Sequence, residues 1–357
     1  MILVCLLLLT SLQLPQNPDS KASTPTPASS NTPSQSSKPP DSPSDKPSDV
    51  LAAARALIQR GAFEQGISQL KSLQASNPHL QGLSREFGTA YFKHGDYTQA
   101  VSYLKQTSQE NPKDKEAVQL LGLSYYFSGH PAEAIPLLER VNSWYPSANV
   151  DASYVLGICY IRQRQYDQAR KAFATMYGVP PDSAPAYMFA ARMLLRQEFD
   201  PIAESFAQKS VALDPKLPMA HLLLGELYLY KSRIPEAIAE FQKELALNPG
   251  HAPTYYKLAD AYSRAMKFDD AEKLLQRSIW LDATASGPYI LMGKVLLKKG
   301  EPELALRSLR HALKMDPNNY MGHHLLGDAF RALGQTADAD RELQLAQQLQ
   351  AIDTNQP

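Results

Sequence analysis

Antiparallel helix pairs stacked in tandem into an all-α solenoid are the fold this sequence predicts, and three observations predict it. A phrase exemplified by "GTAYFKHGDYTQAVSYLKQTSQENP" at 88–112 recurs every 34 residues. Small residues occupy two fixed places in each copy. Around them, apolar residues keep the i, i+3, i+4, i+7 spacing of a helix face.

Two segments precede the copies. Residues 1–14, "MILVCLLLLTSLQL", are apolar at the start, too short to span a membrane as a helix and of the length of a secretory signal core. They contain no Lys or Arg before the apolar run and no small-x-small cleavage site, so a retained leader acting as a weak membrane anchor is the other reading. Lipidation of Cys5 is a third, with Ile-Leu-Val making a poor lipidation box. Either way the expectation is an exported protein, periplasmic, secreted or tethered to the envelope. From Pro15 to Pro47, 18 of 33 residues are Pro or Ser and none is aromatic. That composition buries too little apolar surface to offset the entropy of ordering, and predicts a disordered linker.

The copies run 47–80, 81–114, 115–148, 150–183, 184–217, 218–251, 252–285, 286–319 and 320–353, with Asn149 the one insertion and 354–357 a tail. Within a copy, places 4, 7, 8 and 11 form one face of a first helix, and places 20, 24 and 27 one face of a second. In the second copy these are Ser84, Phe87, Gly88 and Tyr91, then Ala100, Leu104 and Thr107. Place 8 is Gly or Ala throughout, from Ala54 and Gly88 to Gly327, and place 20 runs from Gly66 through Ala100 to Ala339. Small residues let two helix backbones approach, and a larger apolar residue fills the gap beside them. Gly near place 15 (Gly61, Gly95, Gly129, Gly300, Gly334) allows the turn between the helices. Pro at place 32, as Pro78, Pro112, Pro146, Pro181, Pro215, Pro249 and Pro317, is expected to stop the second helix.

This period and these places resemble the tetratricopeptide repeat (TPR) family over residues 47–353. Place 4, where the family often carries Trp, holds Val50, Ser84, Val118, Ser153, Tyr187, His221, Tyr255, Tyr289 and His323. Ala283 and Ala351 replace the terminal Pro, which is expected to soften two repeat ends. One helix pair cannot bury its own apolar face, so copies must stack. The resemblance implies a right-handed superhelix with first helices lining a concave groove, and a protein or peptide segment as partner.

Partner selection should fall to places that scaffolding leaves open, chiefly 2, 5, 9, 12 and 13. The second copy offers Arg85 and Phe92; the third to sixth offer Leu123, Tyr126, Phe127, Tyr154, Ile158, Ile161, Met188, Arg192, Leu222, Leu229 and Tyr230. The last three copies offer Tyr256, Arg264, Lys294 and Lys298. An apolar middle with a charged end suits a segment with apolar anchors beside a charged part. The alternative is that several of these residues pack against neighbouring copies. Co-chaperones of the family hold a C-terminal carboxylate with a set of Lys, Asn and Arg. Here the second to fourth copies put Arg85, Thr89, Leu120, Asp151 and Val155 at those places, which disfavours such a clamp.

Lys plus Arg is 36 and Asp plus Glu is 36, which leaves no basic excess for nucleic-acid phosphates and sets nucleic acid aside as a partner. Cys159, in "VLGICYI", reads as a buried, inert thiol. No phosphate-cradling loop, His-Glu-x-x-His, paired-cysteine or Gly-x-Ser-x-Gly motif occurs, so no cofactor or metal is expected and the chain reads as a non-enzymatic scaffold. The competing reading is an enzyme or enzyme subunit with a site built between repeats, for which His311 and His324 are the metal candidates.

Overall fold

The computed structural model describes residues 46–145, 150–197 and 201–354. The leader, all but the last two residues of the Pro/Ser segment, Pro146, Asn149 and residues 355–357 lie outside them. Among the described residues eighteen helices follow in tandem. The first helices of the nine copies are α1 (Pro47–Gln59), α3 (Leu83–His94), α5 (Lys115–Phe127), α7 (Val150–Arg162), α9 (Ala184–Gln197), α11 (Ala220–Tyr230), α13 (Ala252–Arg264), α15 (Ser286–Lys299) and α17 (Tyr320–Ala332). The second helices are α2 (Phe63–Ser76), α4 (Tyr97–Glu110), α6 (Pro131–Trp144), α8 (Tyr166–Tyr177), α10 (Pro201–Leu213), α12 (Ile234–Leu247), α14 (Phe268–Leu281), α16 (Pro302–Met315) and α18 (Thr336–Thr354). Each first helix packs most extensively on the second helix of its own copy, which makes the array an α-solenoid of helix pairs. No described helix is long and apolar enough to cross a membrane.

Within a pair, place 8 meets place 24. Leu70, Leu104, Leu138, Phe173, Phe241, Leu275 and Leu309, all at place 24, are among the largest fully buried side chains. A Cβ added at Gly157 would stand 2.4 Å from the Phe173 ring, and one at Gly225 would stand 2.5 Å from the Phe241 ring. No real carbon contact is that short, so the Phe rings require the missing side chain opposite, whereas Leu70 and Leu275 leave room for Ala54 and Ala259. The fifth copy solves the same problem with Ala191 facing Ala207, both buried.

The turn inside each copy is one motif repeated. The amide at place 16 donates to the carbonyl at place 11 in every described turn, as in Asp96 to Tyr91 at 3.0 Å and Lys267 to Tyr262 at 2.9 Å. This is a Schellman ending, which needs a left-handed residue at place 15. Gly supplies it in five copies, but Arg164, Ser232 and Met266 adopt the same conformation, with φ of 57°, 59° and 61°. The turn geometry therefore overrides the residue's own preference.

The stop at the end of the second helix differs from expectation. Helix α14 ends on time at Leu281 although Ala283 stands where Pro was expected, because the Asp282 carboxylate accepts the Thr284 amide at 2.9 Å and its hydroxyl at 2.7 Å. Asn111 and Asp214 at the same place accept amides two residues on. In these three copies an Asx turn at place 31 stands at the helix end, in the seventh without Pro. In the last copy Gln350 takes that place beside Ala351, and α18 runs on to Thr354.

Several polar groups buried in the array are paired. Ser210 and Ser278 donate to the carbonyls of Ala184 and Ala252, each at 2.9 Å, tying the two helices of a copy together. The buried Glu244 carboxylate accepts from the amides of Met219 at 3.0 Å and Leu222 at 3.4 Å, capping the start of α11. His221 and His323 repeat one clamp: Nε2–H donates to the carbonyl of Pro215 or Pro317 in the preceding copy, and Nδ1 faces Glu240 or Glu342 at 2.5 and 2.6 Å.

Met266 is exposed and left-handed, so removing its Cβ costs no packing. Met266→Gly should raise unfolding free energy by about 1 kcal/mol, read as a higher urea midpoint.

Candidate protein-binding face

First helices of successive copies pack on one another, α1 on α3, α3 on α5, α5 on α7, and again from α9 through to α17. Second helices do not approach their counterparts comparably among the described residues. First helices are therefore gathered on the inner side of the array and second helices splayed on the outer. At the fourth-to-fifth copy junction α7 and α9 approach less than the other first-helix pairs do among the described residues. There the Arg170 guanidinium reaches from α8 to the Pro181 carbonyl and to Asp182 at 2.9 Å, and stacks on the Tyr187 ring at 4.4 Å.

The gathering of first helices decides which predicted residues reach solvent. Ile158 is fully buried in the core shared by the third to fifth copies, and Leu123 is buried beside it. Met188, Leu222 and Leu229 are buried in the next core segment. These five pack between copies and offer a partner no surface, a correction whose cause is that places 5, 9 and 12 lie against the neighbouring first helix wherever the two backbones approach. Arg85 is half-buried and engaged: its Nε lies 2.8 Å from Asp114 and its Nη2 pairs with Glu116, linking the second copy to the third. Arg264 pairs with Asp260 at 2.9 Å.

The remaining candidates reach the surface in two groups. Phe92, Tyr126 and Phe127 form an aromatic cluster, with Phe92 to Phe127 at 6.3 Å and Tyr126 to Phe127 at 5.1 Å. Tyr97, which the sequence reading did not single out, stacks on Phe127 at 4.8 Å, and the Arg162 guanidinium lies 4.9 Å from the Tyr126 ring. An aromatic at the start of a second helix, one copy before Phe127, was the available signal. Tyr154, Ile161 and Arg192 continue the face half-buried, and Tyr230 is 64% exposed. Beyond it, Tyr256 lies over Gly287 of the next copy, and burial raises its phenol above the usual range. Lys294 and Lys298 are exposed and make no ion pair among the described residues.

Groups suspected of chemistry are otherwise engaged. Both ring nitrogens of His221 and His323 are engaged by protein partners. His311 packs against Tyr289 at 4.4 Å and His324 lies 3.4 Å from Asp328. Among the described residues no group of three His, Cys, Asp or Glu could hold a metal ion. Burial pushes the Cys159 thiol up to about 12, so it is protonated at neutral pH. Cys159 should accordingly resist a thiol-titrating disulfide reagent in native protein at pH 8 and react fully in denaturant.

Family models of the tetratricopeptide repeat match residues 91–147 and 128–193, and a second such model matches 290–356. The chain is 24% identical to anaphase-promoting complex subunit 3 of Schizosaccharomyces pombe over 180 residues, 50% of this chain and 27% of that protein. It is 25% identical to human DnaJ homolog subfamily C member 3 over 231 residues, 59% and 44% of the two chains. It is 30% identical to the Hsp70-Hsp90 organizing protein of Triticum aestivum over 128 residues, 36% and 22%. The chain thus spans less than half the length of each of these relatives. Among solved structures, the APC/C hetero-tetramer Cut9-Hcn1 is similar with a TM-score of 0.44 at 21% identity, covering 78% of this chain and 55% of that one. MamA is similar with a TM-score of 0.42 at 21% identity, covering 46% and 97%.

Proposed function

This chain is an array of tetratricopeptide repeats, and from that premise we propose a non-enzymatic scaffold that holds a peptide or protein segment along its first helices. One observation carries the reading: the gathered first helices leave an aromatic and apolar surface, Phe92, Tyr126, Phe127, Tyr154, Ile161 and Tyr230, facing the inner side. Aromatic side chains supply large contact area at low entropic cost, and recognition of a segment by anchors in a groove uses such surfaces. The similar proteins are named as anaphase-promoting complex subunits and as an Hsp70-Hsp90 organizing protein, names of proteins that assemble with other proteins. The site of action we propose is outside the cytoplasm, in envelope assembly or secretion, on the strength of the apolar leader and the Pro/Ser segment that follows it.

Phe127 and Tyr230 are exposed at 39% and 64%, so charge placed there should leave the fold intact. The double variant Phe127→Asp/Tyr230→Asp should keep its circular dichroism and melting temperature while losing at least about tenfold of the crosslinking yield to the partner that wild type captures. Unchanged crosslinking by the folded variant would refute the binding face.

A further inference from the structure

In all nine copies the residue at place 13, last or next to last in the first helix, is exposed. In copies two to eight it is Lys93, Phe127, Arg162, Arg196, Tyr230, Arg264 and Lys298. Five cations and two rings therefore stand one per copy along a single edge of the face. Lys93, Arg162, Arg196 and Lys298 make no ion pair among the described residues, and Arg264 meets only Asp260.

Cations at helix C-termini have an ordinary structural explanation, since they complement the negative end of the helix dipole. Here that explanation fails on the second helices, which have the same dipole. Of those, only α16, with Lys314, has a basic residue in its last turn; α2, α4, α6, α8, α10, α12, α14 and α18 have none. The segregation extends to whole helices. First helices carry thirteen Lys and Arg against seven Asp and Glu, second helices thirteen against seventeen. The cations divide equally and the acids do not, which leaves the first helices with a net positive charge and the second helices with a net negative one.

Resting on the scaffold reading above, we infer that the segment held is an extended acidic polypeptide whose carboxylates, three residues apart, meet the cations at place 13 in succession. Where first helices pack they lie about 9 Å apart, and an extended chain in the polyproline II conformation has three residues per turn and advances about 3.1 Å per residue, so every third side chain returns to the same side level with the next copy. Seven copies span at least about 55 Å, or roughly 18 residues on these spacings, the fourth-to-fifth junction being the widest. Apolar side chains of the segment fall opposite Phe127 and Tyr230. A single-stranded nucleic acid is the poorer fit, because it presents a phosphate at every nucleotide whereas the row offers one cation per copy.

The test is selection of a random displayed 18-residue peptide library on the full chain, followed by affinity measurement. Selected peptides should be acidic with a period of three and should weaken about tenfold between low and moderate salt. They should bind the triple variant Lys93→Glu/Arg162→Glu/Lys298→Glu at least about tenfold more weakly. Lys105→Glu/Lys171→Glu/Lys273→Glu, which changes exposed cations on second helices, should bind them as wild type does. Selection of neutral peptides that bind the first triple variant undiminished would overturn the acidic assignment and leave the scaffold reading standing. Recovery of no peptide would count against both. Oligothymidylate of 18 nucleotides binding more tightly than any selected peptide would overturn the choice of a polypeptide.

Discussion

The contact between place 8 of a first helix and place 24 of the second is the constraint on which the rest of this array depends. Where Gly157 faces Phe173 or Gly225 faces Phe241, the two backbones are close enough that a methyl group would collide with the ring. That proximity sets the crossing of each pair, and with it the length of turn that can join them. The turn must then reverse the chain in a few residues, which is why place 15 is left-handed even where it is Arg164 or Met266. A repeated crossing with a repeated turn leaves each copy with apolar surface that only the next copy can cover.

Stacking in this manner also decides which first-helix residues reach the proposed binding face. First helices gather and second helices splay, so residues at places 5, 9 and 12 of a first helix are covered or left open according to how closely its neighbour approaches. Place 13, at the helix end, stays exposed in every copy. Packing and the proposed recognition are thereby separated along one helix: its packed stripe is mostly small, aliphatic and aromatic, while its last turn carries cations and rings. The His221 and His323 clamps and the Arg85 bridge join successive copies, and the Glu244 cap ties the two helices of one copy, so that these buried and half-buried polar groups are paired.

Much of this was legible in the residues because a 34-residue period repeats its evidence nine times. The helix pairs, the small residues at places 8 and 20, the bulky place 24 and the inert Cys159 could all be read from spacing and residue type. Burial of Ile158, Leu123, Met188, Leu222 and Leu229 could not, because it depends on the distance between first helices of different copies, which leaves no periodic mark within one copy. The Asx stop at Asp282 was overshadowed by the more conspicuous prolines one place later. Arg85 looked available for a partner because its own partners, Asp114 and Glu116, lie some thirty residues away. The charge row was hidden by a net charge of zero, since a balanced total conceals how the charges divide between two sides of a fold.

The most direct test of the central contact exchanges the residues of the fourth copy for those of the fifth, where Ala191 faces Ala207. In wild type, Gly157→Ala should destabilise by about 1–3 kcal/mol, because the new methyl overpacks against Phe173. In a Phe173→Ala background the same change should stabilise by about 1 kcal/mol, because room now exists and Ala favours the helix. Urea denaturation of the four proteins would therefore show Gly157→Ala changing sign between backgrounds. The same sign and size in both would contradict the account.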